Sequence, residues 1–394
     1  MSQFSQLTPR PADALLGLMA AFRADPREDK IDLGVGVYRN EAGETPIMAA
    51  VREAERRLAE TAPTKSYESP QGNLGFGAQI TNLVYGDDKN PPQTVPFAAP
   101  GGTGALCLSM GLAQRLNAEA TVWVSSPSWP NHPHVAKTAG LKADTYSYAA
   151  PGAAKPDLDN VLDDLSRAAP RDVVILQGPC HNPTGIDLDT DQWKQLAGFV
   201  KEKSLLPVID IAYHGFGTSL DEDLVGVRAF LQEVDEALIS YSCSKNFGLY
   251  RDRVGCLILQ GNDADALDAA RTHVADIARA IYSMPPAHGP AVVETIMTTP
   301  DLQKLWEDEL SQMQRRMTSL RRTLAEALHP SSNSFDASVL KTQNGMFSLL
   351  PLVTDGAAKL KEGGLYLPGS GRVNIAGLTE STIPRAAEQL SKYL

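Results

Sequence analysis

Cysteine is scarce in this chain. The four present in 394 residues, Cys107, Cys180, Cys243 and Cys256, form no C-x-x-C pair and are too scattered for a disulfide framework, so a reducing compartment, the cytoplasm, is expected. Long apolar runs are missing too. The longest uncharged stretch, 90–114, carries Pro91, Pro92, Pro96, Pro100 and several glycines, which no lipid-spanning helix would hold. The apolar stretch 14–22 follows Asp13, has only Arg10 as a basic residue nearby and lacks a small-residue cleavage site, so it reads as a short surface helix rather than a signal peptide. Positive charge is in deficit. With 36 Lys and Arg against 47 Asp and Glu, the net charge of −11 argues against nucleic acid or an anionic membrane as the main partner and for a small-molecule one. There is no internal repeat, low-complexity tract or long linker, so any domains share a core or a wide interface.

What is present is an ordinary globular composition, 43% hydrophobic and 21% charged, long enough for two or three domains. From about 95 to 262, short apolar runs at 121–124, 173–176, 206–211, 237–240 and 255–259 alternate with helical patterns. Nearly unbroken hydrophobicity is what strands buried on both faces require, so a mostly parallel α/β sheet is expected. Helices are predicted at 104–116 and 188–203, the latter with Trp193, Leu196, Ala197 and Val200 at i, i+3, i+4 and i+7. A long amphipathic helix is predicted over 301–328 (Leu302, Leu305, Leu310, Met313, Met317, Leu320, Leu324, Leu328), stopped at His329-Pro330 and long enough to bridge two domains. Beyond it, 335–340, 345–350 and 372–375 read as strands of a smaller C-terminal unit that the N-terminal segment joins.

Polar groups gather where these runs end. Lys245, in Ser242-Cys243-Ser244-Lys245-Asn246-Phe247-Gly248-Leu249-Tyr250-Arg251-Asp252-Arg253-Val254-Gly255, follows a strand at the edge where open α/β sheets bind ligands; it is either a Schiff-base nucleophile or part of a solvated loop. Asp210 ends another strand among apolar neighbours with Tyr213 just beyond, and pairs either with a pyridinium nitrogen or with a helix N-terminus. Pro100-Gly101-Gly102-Thr103-Gly104 precedes a helix and makes a phosphate cup or a plain turn. Ser126-Pro127-Ser128-Trp129-Pro130-Asn131-His132 and Pro179-Cys180-His181-Asn182-Pro183-Thr184-Gly185 offer Trp129 to stack on a ring and Asn182 to bond its oxygen, although turn chemistry explains both segments equally. His132 and His134 without a nearby third ligand do not make a metal site. Arg372 and Arg279 are candidates for carboxylate recognition or for surface ion pairs.

Together these segments resemble the class I pyridoxal-phosphate aminotransferases, and within them the aspartate and aromatic amino-acid subgroup. The resemblance runs from Ile31-Asp32-Leu33-Gly34-Val35-Gly36-Val37-Tyr38, through Tyr282-Ser283-Met284-Pro285-Pro286, to Arg372-Val373-Asn374-Ile375-Ala376-Gly377. It implies that Lys245 forms the internal aldimine with pyridoxal 5′-phosphate and shuttles the substrate proton. Gly102, Thr103, Ser242, Ser244 and Arg253 would hold the phosphate, with Tyr67 reaching it from a partner subunit. It also implies Asp210 on the pyridinium nitrogen, His132 supporting Asp210, Tyr213 and Asn182 on the ring oxygen, and Trp129 over the ring. Arg372 would take the α-carboxylate with Asn182, Trp129 and Gly36, and Arg279 of the partner would take a distal carboxylate. The implied fold is a large domain on a mostly parallel seven-stranded sheet (48–315) and a small domain (316–394) joined by the N-terminal segment (1–47), in a homodimer with shared sites.

The implied reaction moves the amino group of aspartate, of aromatic amino acids, or of both, to 2-oxoglutarate by ping-pong kinetics. Arg279, Thr103, Val37, Arg39 and Thr45 resemble the aspartate enzymes. Ser66 and Met284 stand where those enzymes typically have asparagine and resemble the aromatic-accepting members. The alternatives are a strictly aspartate-specific aminotransferase, a decarboxylase or β-lyase on the same fold, which would not need Arg279, and a ligand-sensing regulator. Pro179-Cys180-His181 and 363–368 depart from the subgroup's pattern, the first without touching the contact residue Asn182, the second near where the small domain would close.

Overall fold

The structure, a computed structural model, describes residues 2–9, 14–86, 92–328 and 335–394. Among the described residues the strands are β1 Ile31–Asp32, β2 Gln93–Pro100, β3 Thr121–Ser126, β4 Lys142–Ser147, β5 Val173–Gln177, β6 Leu206–Ile211, β7 Ala237–Ser242, β8 Val254–Gly261, β9 Phe347–Leu349, β10 Leu365–Tyr366 and β11 Arg372–Asn374. Seven make one sheet in the order β2-β8-β7-β6-β5-β3-β4. Only β8 runs against its neighbours, being antiparallel to β2 and β7, while the other pairs are parallel.

The five apolar runs read from the sequence are β3, β5, β6, β7 and β8, all interior strands. The two that no run announced are the sheet's edges. β4 (KADTYS) exposes most of its side chains and buries only Tyr146. β2 carries Pro96 and Pro100, which an edge strand tolerates because its outer N–H groups need no ladder partner.

Helices mostly cover the sheet as crossovers. Thr190–Glu202 opens on a capping box, the Asp189 carboxylate accepting from Gln192 N and the Gln192 side chain from Asp189 N. The helix expected at 104–116 begins earlier, at Gly101, which brings Gly101, Gly102 and Thr103 into its first turn. Ala14–Ala24 is a surface helix with no fully buried residue; Arg10 and Asp13, which set it apart from a signal peptide, lie outside the described residues.

The long helix runs Pro300–Leu328, 29 residues and about 43 Å; its expected stop at His329-Pro330 lies outside the described residues. Its inward stripe differs at one place from the expected one, since Leu305 is exposed and Trp306 is buried instead. The first half (Leu302, Trp306, Leu310, Met313, Met317) packs into the core beneath the large sheet with Phe216 and Phe247. The last turns (Leu320, Leu324, Leu328) enter a separate core with Ile31, Leu33, Leu350, Val373 and Ile375. In that second layer β1 pairs with β10 and β9 with β11, so the N-terminal segment and the chain's end meet in one unit.

Segment 335–340, expected to be a strand, is instead entered by a 3-10 helix, Ala337–Thr342. The Asp336 carboxylate accepts from Ser338 N and turns the backbone away from an extended path. The run expected at 345–350 is strand only over β9. No helix among the described residues is long and apolar enough to cross a membrane. All four cysteines are free.

The start of β8 lies close against the start of helix Gly101–Leu116. A Cβ at Gly255 would collide with the Gly101 carbonyl, so this strand can lie against that turn only without a side chain. Gly255→Ala is expected to destabilise the protein by about 1–3 kcal/mol, seen as a lower thermal midpoint; an unchanged midpoint would show that the turn yields freely.

Candidate active site

The strand order reverses between β3, which leads outward to β4, and β5, which leads to β6 and β7. Crevices of this kind, at the carboxyl ends of the strands, are where open α/β sheets bind ligands. The loops after β3, β5, β6 and β7, the start of helix Gly101–Leu116 and the start of β8 all reach this edge. They enclose a cavity of ≈ 210 Å³ lined by Gly36, Gly102, Thr103, Trp129, Asn182, Asp210, Tyr213, Ser242, Ser244, Lys245 and Arg253, with Gln177, Ala212 and Tyr250.

Asp210, the next-to-last residue of β6, is 8% exposed. Its Oδ2 accepts from Nε2 of fully buried His132 at 2.9 Å, while His132 Nδ1 lies 2.9 Å from Ser128 Oγ. Its side-chain partner is therefore a histidine, not the helix N-terminus that the sequence also allowed. This commits His132 away from metal binding, and among the described residues no group of three or more potential ligands could hold a metal. Trp129 meets the His132 ring edge-on at 5.2 Å between centroids, so one short turn sets both.

Asn182 follows β5 and is braced on both sides of its backbone by Gln177, which accepts from Asn182 N at 3.0 Å and donates to Asn182 O at 2.9 Å. Its Nδ2 donates to Tyr213 Oη at 3.4 Å, and its Oδ1 accepts from Arg372 Nη1 at 3.3 Å. Burial pushes the Tyr213 phenol well above its ordinary pKa, against the opposing field of Arg372. Arg372 starts β11, lies 4.3 Å from the Phe347 ring centroid and donates through Nη2 to Gly34 O at 2.7 Å. These partners are neutral, and Arg372 Nε is buried with no partner among the described residues, leaving the guanidinium charge for a ligand. Burial lowers the Arg372 pKa.

Lys245 stands three residues past β7 with Nζ 4.8 Å from the Tyr213 ring centroid. Burial lowers its pKa from 10.5 to about 8; Arg253 and Arg372 push the same way, and Asp210 opposes them. A lysine so placed carries a usable fraction of free amine near neutral pH.

At the far end of the cavity, Gly102 and Thr103 occupy the first turn of helix Gly101–Leu116, whose free N–H groups favour an anion. Ser244 N donates to Ser242 Oγ at 3.3 Å, and Arg253 Nη1 donates to Ser244 Oγ at 3.3 Å. The cradle is tight. A Cβ on Gly102 would lie 2.9 Å from Ser242 Cβ, and one on Gly101, whose φ is +74°, would collide with the Arg253 guanidinium. Gly36 closes the opposite side, where a Cβ would meet Phe347 Cζ at 3.1 Å.

Tyr67 and Arg279 do not line this cavity. Tyr67 is 92% exposed, and Arg279 is exposed and donates to Ser283 Oγ. Glu68 N donates to Met284 Sδ at 3.3 Å and Ser66 Oγ lies 2.8 Å from Thr64 Oγ1, so the exposed segment 64–68 lies against half-buried Met284. Arg39 is committed to Asp32 at 2.7 Å. Sequence reasoning missed Gln177, Tyr250 and Phe347. Gln177 could have been noticed as the polar end of an apolar strand, and Tyr250 lies inside the Lys245 segment, where its Oη accepts from Tyr38 N at 2.9 Å. Nothing local marks Phe347.

A wider cleft of ≈ 720 Å³ lies elsewhere, beside Arg228 and Gln314. There Arg228 already donates to Leu83 O and Val84 O, whereas the smaller cavity is lined by a carboxylate, an amine and a guanidinium, those of Asp210, Lys245 and Arg253, with the Arg372 guanidinium bonded to Asn182 at its wall. Its donor set fits pyridoxal 5′-phosphate. The glycine cradle with Ser242, Ser244 and Arg253 suits a phosphate, the Asp210 carboxylate a ring nitrogen, Tyr213 and Asn182 a ring oxygen, and Lys245 an aldehyde carbon.

This fold and this site define a pyridoxal-phosphate-dependent aminotransferase. The chain belongs to the aminotransferase class I and II family, whose sequence profile matches residues 28–390. It is 44% identical over 391 residues to a tyrosine aminotransferase of Rhizobium meliloti (strain 1021), covering 99% of each chain. To an aspartate aminotransferase of Escherichia coli (strain K12) it is 40% identical, covering 99% of this chain and all of that one. Its fold superposes with a TM-score of 0.96 on the crystal structure of an aromatic-amino-acid aminotransferase from Burkholderia pseudomallei covalently bound to pyridoxal phosphate, at 36% identity and covering 100% and 99% of the two chains.

The depressed pKa gives a direct prediction. In cofactor-free protein, the rate at which an amine-directed acylating reagent modifies Lys245 should rise with pH about a midpoint near 8. A midpoint near the ordinary 10.5 would mean that the amine is solvated.

Proposed function

We propose that this enzyme transaminates both aspartate and aromatic amino acids with 2-oxoglutarate by a ping-pong cycle. The observation that carries the reading is the buried Nε of Arg372, without a hydrogen-bond partner among the described residues, on a guanidinium bonded to Asn182, which lines the cavity together with Lys245 and Asp210. A guanidinium fork at the wall of a small cavity is complementary to an α-carboxylate. The named relatives support both halves of the specificity, one being a tyrosine and another an aspartate aminotransferase.

When bound, pyridoxal 5′-phosphate supplies an electron-accepting ring for cleavage of the substrate Cα–H bond. Asp210, oriented by His132, would pair with the ring nitrogen. Tyr213 and Asn182 would hold the ring oxygen, and Trp129 would stack on the ring. Gly102, Thr103, Ser242, Ser244 and Arg253 would anchor the phosphate. Arg372, with Asn182, Trp129 and Gly36, fixes the α-carboxylate so that the Cα proton points at Lys245 Nζ. Lys245 would take that proton as general base and give it up again as general acid. The 2-oxo acid leaves before the second 2-oxo acid enters, which makes the kinetics ping-pong.

Tyr67 and Arg279 complete the site from a partner subunit in a homodimer. Their exposure, and that of the whole of residues 62–69, fits a segment that packs on another chain. In this reading Tyr67 reaches the partner's phosphate, and Arg279 takes the distal carboxylate of aspartate. Ser66 and Met284 leave room there for an aromatic ring. The chain divides into an N-terminal segment 1–47 joining the small domain, a large domain 48–315 and a small domain 316–394, consistent with the two cores that helix Pro300–Leu328 enters. The enzyme works in the cytoplasm on small molecules, without nucleic acid or membrane, in keeping with its net charge of −11.

Two measurements test this. The kcat/KM values for aspartate and phenylalanine with 2-oxoglutarate should be comparable; a preference for aspartate beyond about 10³-fold, ~4 kcal/mol, would mean a strictly aspartate-specific enzyme. Arg279→Ala should lower kcat/KM for aspartate by about 10²-fold or more and for phenylalanine by less than about 10-fold, since only the first loses a charge-assisted bond. Equal losses would defeat the division of labour assigned to Arg279.

A further inference from the structure

Behind the cavity wall lies a row of polar side chains to which the reaction above gives no part. His214, Tyr241 and Asn246 are all buried, at most 1% exposed. His214 Nδ1 lies 2.9 Å from Tyr241 Oη, Asn246 Nδ2 donates to the same Oη at 2.8 Å, and His214 Nε2 lies 2.6 Å from Leu220 O. The direction of every bond in the row follows from chemistry. A carbonyl only accepts, so His214 Nε2 carries a proton. Burial pushes the His214 pKa down to about 4, so at neutral pH the ring is neutral and Nδ1 is an acceptor. It therefore takes the Tyr241 hydroxyl proton, and Tyr241 Oη takes one from Asn246.

The ends of this row are two neighbours of the chemistry. His214 directly follows Tyr213, four residues after Asp210, and Asn246 directly follows Lys245. Asn246 is pinned a second time by Trp306 Nε1, which donates to Asn246 O at 2.7 Å, while Trp306 stacks on Phe247 at 4.4 Å. Asn246 Oδ1 is buried without a partner among the described residues, so its amide is held from the Nδ2 side alone. Cutting the row at Tyr241 would leave the Asn246 amide with no side-chain anchor and free the Lys245 turn to shift against the loop that carries Tyr213.

We propose that His214, Tyr241 and Asn246 form a positioning relay that sets where Lys245 stands relative to Asp210 and Tyr213. The proposal rests on Lys245 being the cofactor lysine. Because none of these residues lines the cavity, their loss should slow proton transfer at Lys245 while leaving substrate binding nearly intact. A displacement of well under 1 Å at a proton donor is enough for that.

The test uses the loaded enzyme and its visible absorption band. Tyr241→Phe keeps the ring and removes only the hydroxyl. Its kcat with aspartate should fall about 10-fold with KM within about twofold, and the pH midpoint of the visible band should move. Lys245 faces Asp210, Arg253 and Arg372, and none of these charges is altered by the substitution. His214→Asn, which offers an amide oxygen where Nδ1 stood, should keep kcat and the midpoint near the parent values, whereas His214→Leu should reproduce Tyr241→Phe. A Tyr241→Phe enzyme with a lower thermal midpoint but parental kcat and band titration would reduce the row to a structural role and overturn the proposal, as would equal behaviour of His214→Asn and His214→Leu, the comparison that decides if Tyr241→Phe does not fold. Lys245→Ala separates the two levels: retention of its visible band sinks the assignment of the cofactor lysine, while loss of the band together with an unaffected Tyr241→Phe sinks the relay alone.

Discussion

The Asp210 carboxylate sits at the carboxyl edge of a buried strand, held by His132 Nε2 at 2.9 Å, and the rest of the cavity is arranged around that contact. Removing a charge from water costs several kcal/mol unless it is paired and hydrogen-bonded. Here the imidazole comes from the helix that begins after β3, while the carboxylate ends β6, with β5 between them in the sheet. The pair thus ties the two sides of the switch point together, and the Trp129 ring set edge-on against His132 inherits its position from the same contact. Lys245 feels the carboxylate as the influence that favours its charge, against burial and two guanidinium groups.

At the opposite end the constraint is steric. The anion cradle exists because Gly101, Gly102 and Gly255 have no side chains, which lets the first turn of a helix, the end of β7 and the start of β8 approach within van der Waals contact. Charge at one end and close backbone packing at the other set the length of the group that fits between them. Lys245 reaches the middle, where an aldehyde carbon would stand.

The interior of the fold was plain in the sequence because strands buried on both faces carry an unbroken apolar signal. That signal fails at sheet edges, so β2 with its prolines and β4 with its polar outer face went unannounced. The segment 335–340 has strand-like residues, but a single Asp336 side chain turned it into a 3-10 helix. In the site, Lys245, Asp210, Asn182 and the glycine loop were visible because each interrupts or ends a strong local pattern. Gln177, Tyr250 and Phe347 were not, since their importance comes from what tertiary packing sets beside them: Asn182, Tyr38 and Arg372. The pairing of His132 with Asp210 came from family resemblance; local sequence offered a helix cap instead.

The electron sink proposed for this site depends on the charge of Asp210. Asp210→Asn keeps the shape of the side chain and removes its charge, so the most direct measurement is the single-turnover rate of the aspartate half-reaction in that variant, with the visible band followed to show that cofactor remains bound. A fall of at least about 10²–10³-fold with the band retained is the predicted result. A rate within about 10-fold of the parent, with cofactor in place, would contradict it and move the driving force for Cα–H cleavage to another part of the cavity.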